Sequence, residues 1–134
     1  MSKITDKYDG MARKIEPAEG KLGVLLPGMG AVSSTLIAGV QLINAGYSKP
    51  IGSVTQMSRI RLGKRDNPRY PYIKDFVPLS SLNDLVFGGW DIYDDNCYQA
   101  ALTCGVIGKQ ELEPIRKQLE EIKPWPAVFD PAFG

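Results

Sequence analysis

A short apolar run, a glycine turn and a helical repeat follow one another directly near the start of the chain. The run at residues 22–26 ends at Pro27 and Gly28, which is typical of a strand buried on both faces of a parallel sheet. Apolar residues then recur at helical spacing, and Gly46 follows as a C-cap; they are Val32, Leu36, Val40 and Ile43. A strand, a tight turn and a helix predict the first β-α unit of an α/β sheet.

The turn itself resembles a phosphate-binding loop. Gly28, Met29 and Gly30 supply the first two glycines of the dinucleotide pattern G-x-G-x-x-G, and Ser33 occupies the third position. A helix that begins near Ala31 directs free N–H groups and the positive end of its dipole toward an anion. Since glycine turns after strands are common, the pattern alone fits a buried strand with a glycine loop equally well.

The second half of the chain continues the alternation of strands and helices. We expect a strand at 85–87 that is ended by Gly88 and Gly89, and a third strand at 126–129. Between them the spacing predicts two helices. One carries Cys97, Ala101 and Cys104 on a core face, is capped by Asp94 and Asp95, and ends at Gly105; the other carries Leu112, Ile115, Leu119 and Ile122, with Pro114 in its first turn. This order predicts a parallel sheet with flanking helices.

Two segments fall outside that alternation. Residues 1–20 mix charges of both signs with few apolar anchors, so we expect a flexible N-terminal arm. Residues 48–81 are interrupted by prolines and predict a long, partly structured insertion. Its basic residues favour a solvated loop over a nucleic-acid surface, because aromatic residues are few and the whole chain is not basic; they are Arg59, Arg61, Lys64, Arg65 and Arg69.

Asp91 is the candidate ribose-binding acid. In dinucleotide-binding folds this acid follows the second strand, about 20 residues beyond the glycines. Asp91 lies much further on, which the insertion at 48–81 explains. A carboxylate here favours NAD over NADP, since it repels a 2′-phosphate.

Composition excludes several classes of function. The 134 residues include no histidine, which removes Ser-His-Asp and Cys-His nucleophile systems and disfavours a zinc site, so we expect no metal. A net charge of +1 gives no field that favours nucleic acid. The sequence has no apolar run of membrane-spanning length, we expect no secretory signal at residues 1–14, and the two cysteines form no C-x-x-C pair. We expect a soluble cytoplasmic chain with reduced, buried thiols.

Four stretches together resemble the inositol-phosphate synthase family, from about residue 21 onward. They are GMGAVSSTLIAGV at 28–40, IGSVTQMSRIRLG at 51–63, DLVFGGWDI at 84–92 and PWPAVFDPAF at 124–133. The resemblance implies a Rossmann-like domain that binds NAD in an inositol-3-phosphate synthase. Such an enzyme acts in inositol and phospholipid biosynthesis. It converts glucose 6-phosphate to myo-inositol 1-phosphate (3-phosphate) by oxidation, enolisation, intramolecular aldol cyclisation and reduction.

The resemblance also implies roles for single residues. Gly28, Met29, Gly30, Ala31 and Val32 match the pyrophosphate turn, Asp91 matches the adenosine-ribose acid, and Ala127 and Val128 match contacts near the adenine. Many members have a longer turn, rich in glycine and asparagine, so Ser33 is the candidate substitute for the lost donors.

The resemblance does not reach the catalytic part of the family. Its lysines and sugar-phosphate pocket follow the matched segment, so no catalytic residue is assigned, and we expect a fragment of a larger two-domain, homotetrameric enzyme. The alternative hypothesis is a stand-alone nucleotide-binding or structural module without catalysis.

Overall fold

The fold is a parallel α/β sheet with helices packed on one face. The computed structural model describes residues 16–17, 19–128 and 130–132. Three strands pair in parallel in the order β1-β2-β3 and are β1 (Leu22–Pro27), β2 (Leu85–Asp91) and β3 (Trp125–Pro126). The helices are α1 (Ala31–Asn44), α2 (Val54–Met57), α3 (Ile73–Phe76), α4 (Cys97–Cys104), α5 (Lys109–Leu112) and α6 (Arg116–Glu120). Short 3-10 turns at Leu82–Asp84 and Glu113–Ile115 complete the elements. The predicted fold class is confirmed.

The core lies between the sheet and helices α1, α4 and α6. Val24 and Leu26 of β1 and Phe87 of β2 pack there against fully buried side chains of these helices and their connections, among them Ile37, Cys97, Leu112, Ile115 and Leu119. The opposite face carries Leu25, Val86, Trp90 and Trp125, which are 40–59% exposed in the part of the chain described. The prediction that β1 is buried on both faces is therefore wrong for the described residues. An all-apolar strand does not by itself show how many of its faces are covered.

Strand β2 is longer than predicted, because Gly88 and Gly89 lie within it and do not end it. Both glycines pair with β1, Gly88 opposite Leu25 and Gly89 opposite Leu26. The strand consequently continues to Asp91. Strand β3 pairs only Trp125 and Pro126 with β2, and not 126–129 as predicted; Phe129 lies outside the described residues.

The helix ends show which residues cap them. Gly46 follows α1 with φ +80° and Gly105 follows α4 with φ +64°, so both predicted C-cap glycines are confirmed. The prediction that Asp94 and Asp95 cap α4 is wrong. Asn96 forms the cap: its side chain accepts from the N–H of Gln99, and the side chain of Gln99 accepts from the N–H of Asn96. An amide side chain one position later forms this reciprocal cap equally well.

The predicted helix after Gly105 is interrupted. Pro114 does not lie in its first turn; it lies in the 3-10 turn between α5 and α6, because proline lacks the N–H that a continuous helix requires there. The predicted apolar stripe nevertheless survives, since Leu112, Ile115 and Leu119 are all fully buried.

The insertion at 48–81 is partly structured, as expected. Helices α2 and α3 flank an antiparallel hairpin that is bridged at Arg59–Tyr72 and Leu62–Arg69. Its basic side chains are exposed, and Arg59 stacks over the ring of Tyr72 at 3.9 Å. The N-terminal arm predicted at 1–20 lies mostly outside the described residues. No helix in the described part is both long and apolar enough to span a membrane.

Candidate functional site

The glycine turn lies at the carboxyl end of β1. The N–H of Gly28 donates to the carbonyl oxygen of Trp90 at 2.7 Å, and its φ of +97° turns the chain sharply out of the sheet. The first hydrogen bond of α1 joins the N–H of Ser34 to the carbonyl oxygen of Gly30 at 3.0 Å. The N–H groups of Ala31, Val32 and Ser33 therefore have no acceptor among the described residues. They form the positive end of a helix that is free to bind an anion.

The space beside Gly30 is empty. A Cβ added to Gly30 would meet no atom within 4 Å, and neither would one added to Gly28. The backbone of the turn is thus open to a bound group. In dinucleotide-binding folds the first glycine makes the tight turn and the second lets a pyrophosphate approach the backbone.

Asp91, at the carboxyl end of β2, joins that strand to the turn. Its Oδ2 accepts a hydrogen bond from the N–H of Met29, and its Oδ1 accepts one from the N–H of Tyr93 at 3.0 Å. The bond from Tyr93 is the largest cause that lowers the pKa of Asp91; partial burial opposes it, and the N–H groups of Met29 and Ile92 reinforce it. Asp91 is therefore ionised at neutral pH. A carboxylate offers about four acceptor positions, so it still has positions for ligand hydroxyls.

Two adjoining cavities meet at Asp91. The larger, of about 380 Å³, is bordered by the turn at 28–30, by Asp91 and Tyr93, and by Thr103 and Cys104 of α4. The smaller, of about 90 Å³, lies between the segment at 91–94 and Pro124, Pro126 and Ala127. Asp91, Ile92 and Tyr93 border both cavities, so they lie where one elongated ligand would pass from one to the other.

The structure brings most of the residues predicted from sequence to this place. Gly28, Met29, Gly30 and Asp91 border the larger cavity, and Ala127 borders the smaller one. Ala31, Val32 and Ser33 begin the adjacent helix but border neither cavity. Val128 is 94% exposed and borders neither.

Sequence reasoning missed Tyr93, Thr103 and Cys104. Tyr93 could have been found as an aromatic residue two positions after the candidate ribose acid. The prediction that both thiols are buried is confirmed for Cys97, whose burial raises its pKa to about 11, but is wrong for Cys104, which is exposed at the cavity. Helical spacing placed the two cysteines on one face. However, α4 ends at Cys104, beyond the edge of the core.

A parallel α/β sheet with an open glycine turn, a free helix N-terminus and an ionised carboxylate after the next strand defines a dinucleotide-binding domain. A model of the NAD-binding domain of myo-inositol-1-phosphate synthase matches residues 22–134. The chain belongs to this family, and the family's cofactor is NAD.

Individual relatives agree with the family assignment. Inositol-3-phosphate synthase 1 of Bacteroides thetaiotaomicron is 48% identical over 121 residues, which cover 90% of this chain and 28% of that protein. Isozyme 1 of Arabidopsis thaliana is 37% identical over 141 residues, which cover 96% of this chain and 27% of that one. The crystal structure of inositol-3-phosphate synthase from Caenorhabditis elegans superposes with a TM-score of 0.71 at 29% identity and covers 87% of this chain and 25% of that one. The chain thus spans about a quarter of the length of these relatives.

The site residues fit NAD. The open space at Gly28 and Gly30 suits the approach of a pyrophosphate to backbone, and the unpaired N–H groups of α1 suit its charge. Asp91 retains acceptor positions for ribose hydroxyls. The described residues hold no group of three or more His, Cys, Asp or Glu side chains placed to bind a metal ion.

Proposed function

We propose that this chain is the NAD-binding part of an inositol-3-phosphate synthase. In this proposal the pyrophosphate lies against Gly28, Met29 and Gly30 and accepts hydrogen bonds from the N–H groups of Ala31, Val32 and Ser33. Asp91 binds the adenosine ribose, and the adenine lies toward Ala127 and Val128. Membership of the family favours this function over that of a stand-alone module without catalysis.

The position of Asp91 is the observation that carries the proposal. Its carboxylate accepts hydrogen bonds from Met29 in the turn and from Tyr93 beyond β2, which supports a proposal in which the phosphate loop and the ribose acid act together. Binding of an adenosine diphosphate requires N–H groups that donate to its phosphates and, nearby, a carboxylate that accepts from its ribose hydroxyls. The arrangement of the turn and Asp91 offers both. The same negative charge would repel the 2′-phosphate of NADP.

The reaction of the complete enzyme is proposed from its relatives, which are named inositol-3-phosphate synthases. NAD, when bound, supplies a hydride acceptor that is restored within the same cycle, so glucose 6-phosphate is isomerised without net oxidation. The residues of this chain bind and orient that cofactor. They supply no assigned catalytic group, and the homotetrameric assembly expected from the family is part of the same proposal.

Substitution of Asp91 tests the cofactor role. Asp91→Ala should weaken NAD binding by about 1–3 kcal/mol, or about 5- to 150-fold in Kd, because a charge-assisted hydrogen bond to ribose is lost. Calorimetric titration of the wild-type and variant chains with NAD and with NADP measures this effect. The wild type should prefer NAD, and Asp91→Ala should lose most of that preference.

A matched control separates binding from folding. Asp84→Ala removes a carboxylate that precedes β2 and pairs with Lys21 at 3.1 Å, away from both cavities. It should leave NAD affinity unchanged. The proposal fails if the folded wild type does not bind NAD, or if Asp91→Ala binds NAD as tightly as wild type does.

A further inference from the structure

Tyr93 is an exposed aromatic side chain with no role in the core. It is 69% exposed, and its ring and hydroxyl make no hydrogen bond, ring contact or cation contact within the described chain. No hydrogen bond or ring contact within the described chain therefore explains the ring at this position. Its backbone, in contrast, is fixed, because its N–H donates to Oδ1 of Asp91 at 3.0 Å.

The location of Tyr93 relates it to the ligand. Like Asp91 and Ile92, it borders both the cavity at the glycine turn and the small cavity at Pro126 and Ala127, and of these three residues it alone carries a ring. In a nucleoside the base is joined directly to the ribose. If Asp91 binds the ribose, the base would therefore lie close to the side chain of Tyr93, two residues further along the chain. Pro126 and Ala127 face the same space from β3 and the residue that follows it.

We propose that the ring of Tyr93 is the platform on which the adenine of NAD stacks, with Pro126 and Ala127 as the opposite wall. This inference rests on the proposed NAD site and adds a positioning residue to it. Stacking of a base on an aromatic ring is a substantial contribution to nucleotide affinity.

The polar groups near the small cavity support stacking as the main contact. The N–H of Ala127 already donates to the carbonyl oxygen of Asp91 at 2.8 Å, and the N–H of Tyr93 donates to the carboxylate. Pro124 and Pro126 have no N–H. Apart from the carboxylate and N–H of Asp94, which also borders this cavity, few polar groups are left to bind the edge of adenine, so contact with the face of the base is the main recognition that these residues offer.

The test compares two variants with two ligands. Tyr93→Ala should weaken binding of NAD by about 5- to 100-fold, whereas Tyr93→Phe, which keeps the ring, should bind NAD within about twofold of wild type. Nicotinamide mononucleotide lacks the adenosine half, so its affinity should be the same for all three chains. Tyr70→Ala is the matched control, because Tyr70 is a 53% exposed tyrosine in the hairpin, and it should change neither affinity.

A spectroscopic measurement distinguishes stacking from a merely structural role. The adenine protons of bound NAD should show upfield ring-current shifts with the wild type and with Tyr93→Phe, and these shifts should be absent with Tyr93→Ala. Equal NAD affinity of Tyr93→Ala and wild type would overturn the stacking role while the NAD site stands. An equal loss in Tyr93→Phe and Tyr93→Ala would overturn it as well. Failure of the wild type to bind NAD would instead refute the proposed function itself.

Discussion

Two glycine pairs lie near the same edge of the sheet, and opposite physical reasons explain them. At Gly89 an added Cβ would lie 2.1 Å from the carbonyl oxygen of Leu26, and at Gly88 it would lie 3.2 Å from the ring of Trp125. At Gly28 and Gly30 it would meet nothing within 4 Å. The first pair is glycine because protein atoms fill the space. In the second pair the φ of +97° favours glycine at Gly28, whereas at Gly30 neither φ nor a neighbouring atom does, and the space beside it is open to a ligand. Gly88 and Gly89 thus allow close packing within the sheet, and we propose that the turn at Gly28 and Gly30 admits the cofactor.

Gly89→Ala should produce the largest effect. Its Cβ would collide with the backbone of β1 and force the two strands apart, so we expect a loss of more than about 4 kcal/mol in the free energy of unfolding, or no cooperative transition at all. Denaturant unfolding followed by circular dichroism measures this. Gly23→Ala is the control, because Gly23 lies in β1 with open space around it and should cost less than about 1 kcal/mol. Similar stabilities of the two variants would contradict the claim that Gly89 is glycine because a side chain there would collide with β1.

Gly30→Val should separate binding from stability. The extended backbone at Gly30, with φ −78° and ψ −159°, accepts valine, so we expect stability to fall by only about 1 kcal/mol, through a poorer helix cap. NAD affinity should fall by more than about tenfold, because the side chain would occupy the space of the pyrophosphate. Gly52→Val, at another open position within the insertion, should leave affinity unchanged. Normal NAD binding by Gly30→Val would mean that the open space at the turn is not used.

Ser33→Ala should have the smallest effect. Its N–H, which the variant keeps, is the main proposed donor, and the hydroxyl adds at most one hydrogen bond, so the loss of NAD affinity should stay below about 1.5 kcal/mol. Ser34→Ala is the neighbouring control, since its hydroxyl donates to the carbonyl oxygen of Ala31 and should not affect NAD. A loss as large as that for Gly30→Val would make the hydroxyl, and not the backbone, the principal phosphate donor.

The parts of the fold that local chemistry determines could be predicted from sequence. The strand, turn and helix around Gly28 and the C-cap at Gly105 follow from apolar spacing and from the φ that glycine permits. The prediction that Gly88 and Gly89 end the second strand was wrong. In a sequence, a glycine that ends a strand cannot be distinguished from a glycine that accommodates a close neighbour. Only the pairing of β2 with β1 shows which applies.

The site could be predicted only in part, for a related reason. The glycine pattern and the family resemblance identified Asp91, but its hydrogen bond to Met29 depends on how β1 and β2 align. Thr103 and Cys104 border the larger cavity because the C-terminal end of α4 lies beside it, and helical periodicity does not predict that position. Such relations between elements are set by tertiary packing.

The most direct test of the proposed cofactor site is an NMR titration of the ¹⁵N-labelled chain with NAD. The amide signals of Gly30, Ala31, Val32 and Ser33 should shift on binding, together with those of Asp91 and Tyr93. Signals from the hairpin between Arg59 and Tyr72 should remain in place. Shifts confined to the hairpin, or none at all in a folded chain at saturating NAD, would contradict the assignment of the glycine turn as the pyrophosphate site.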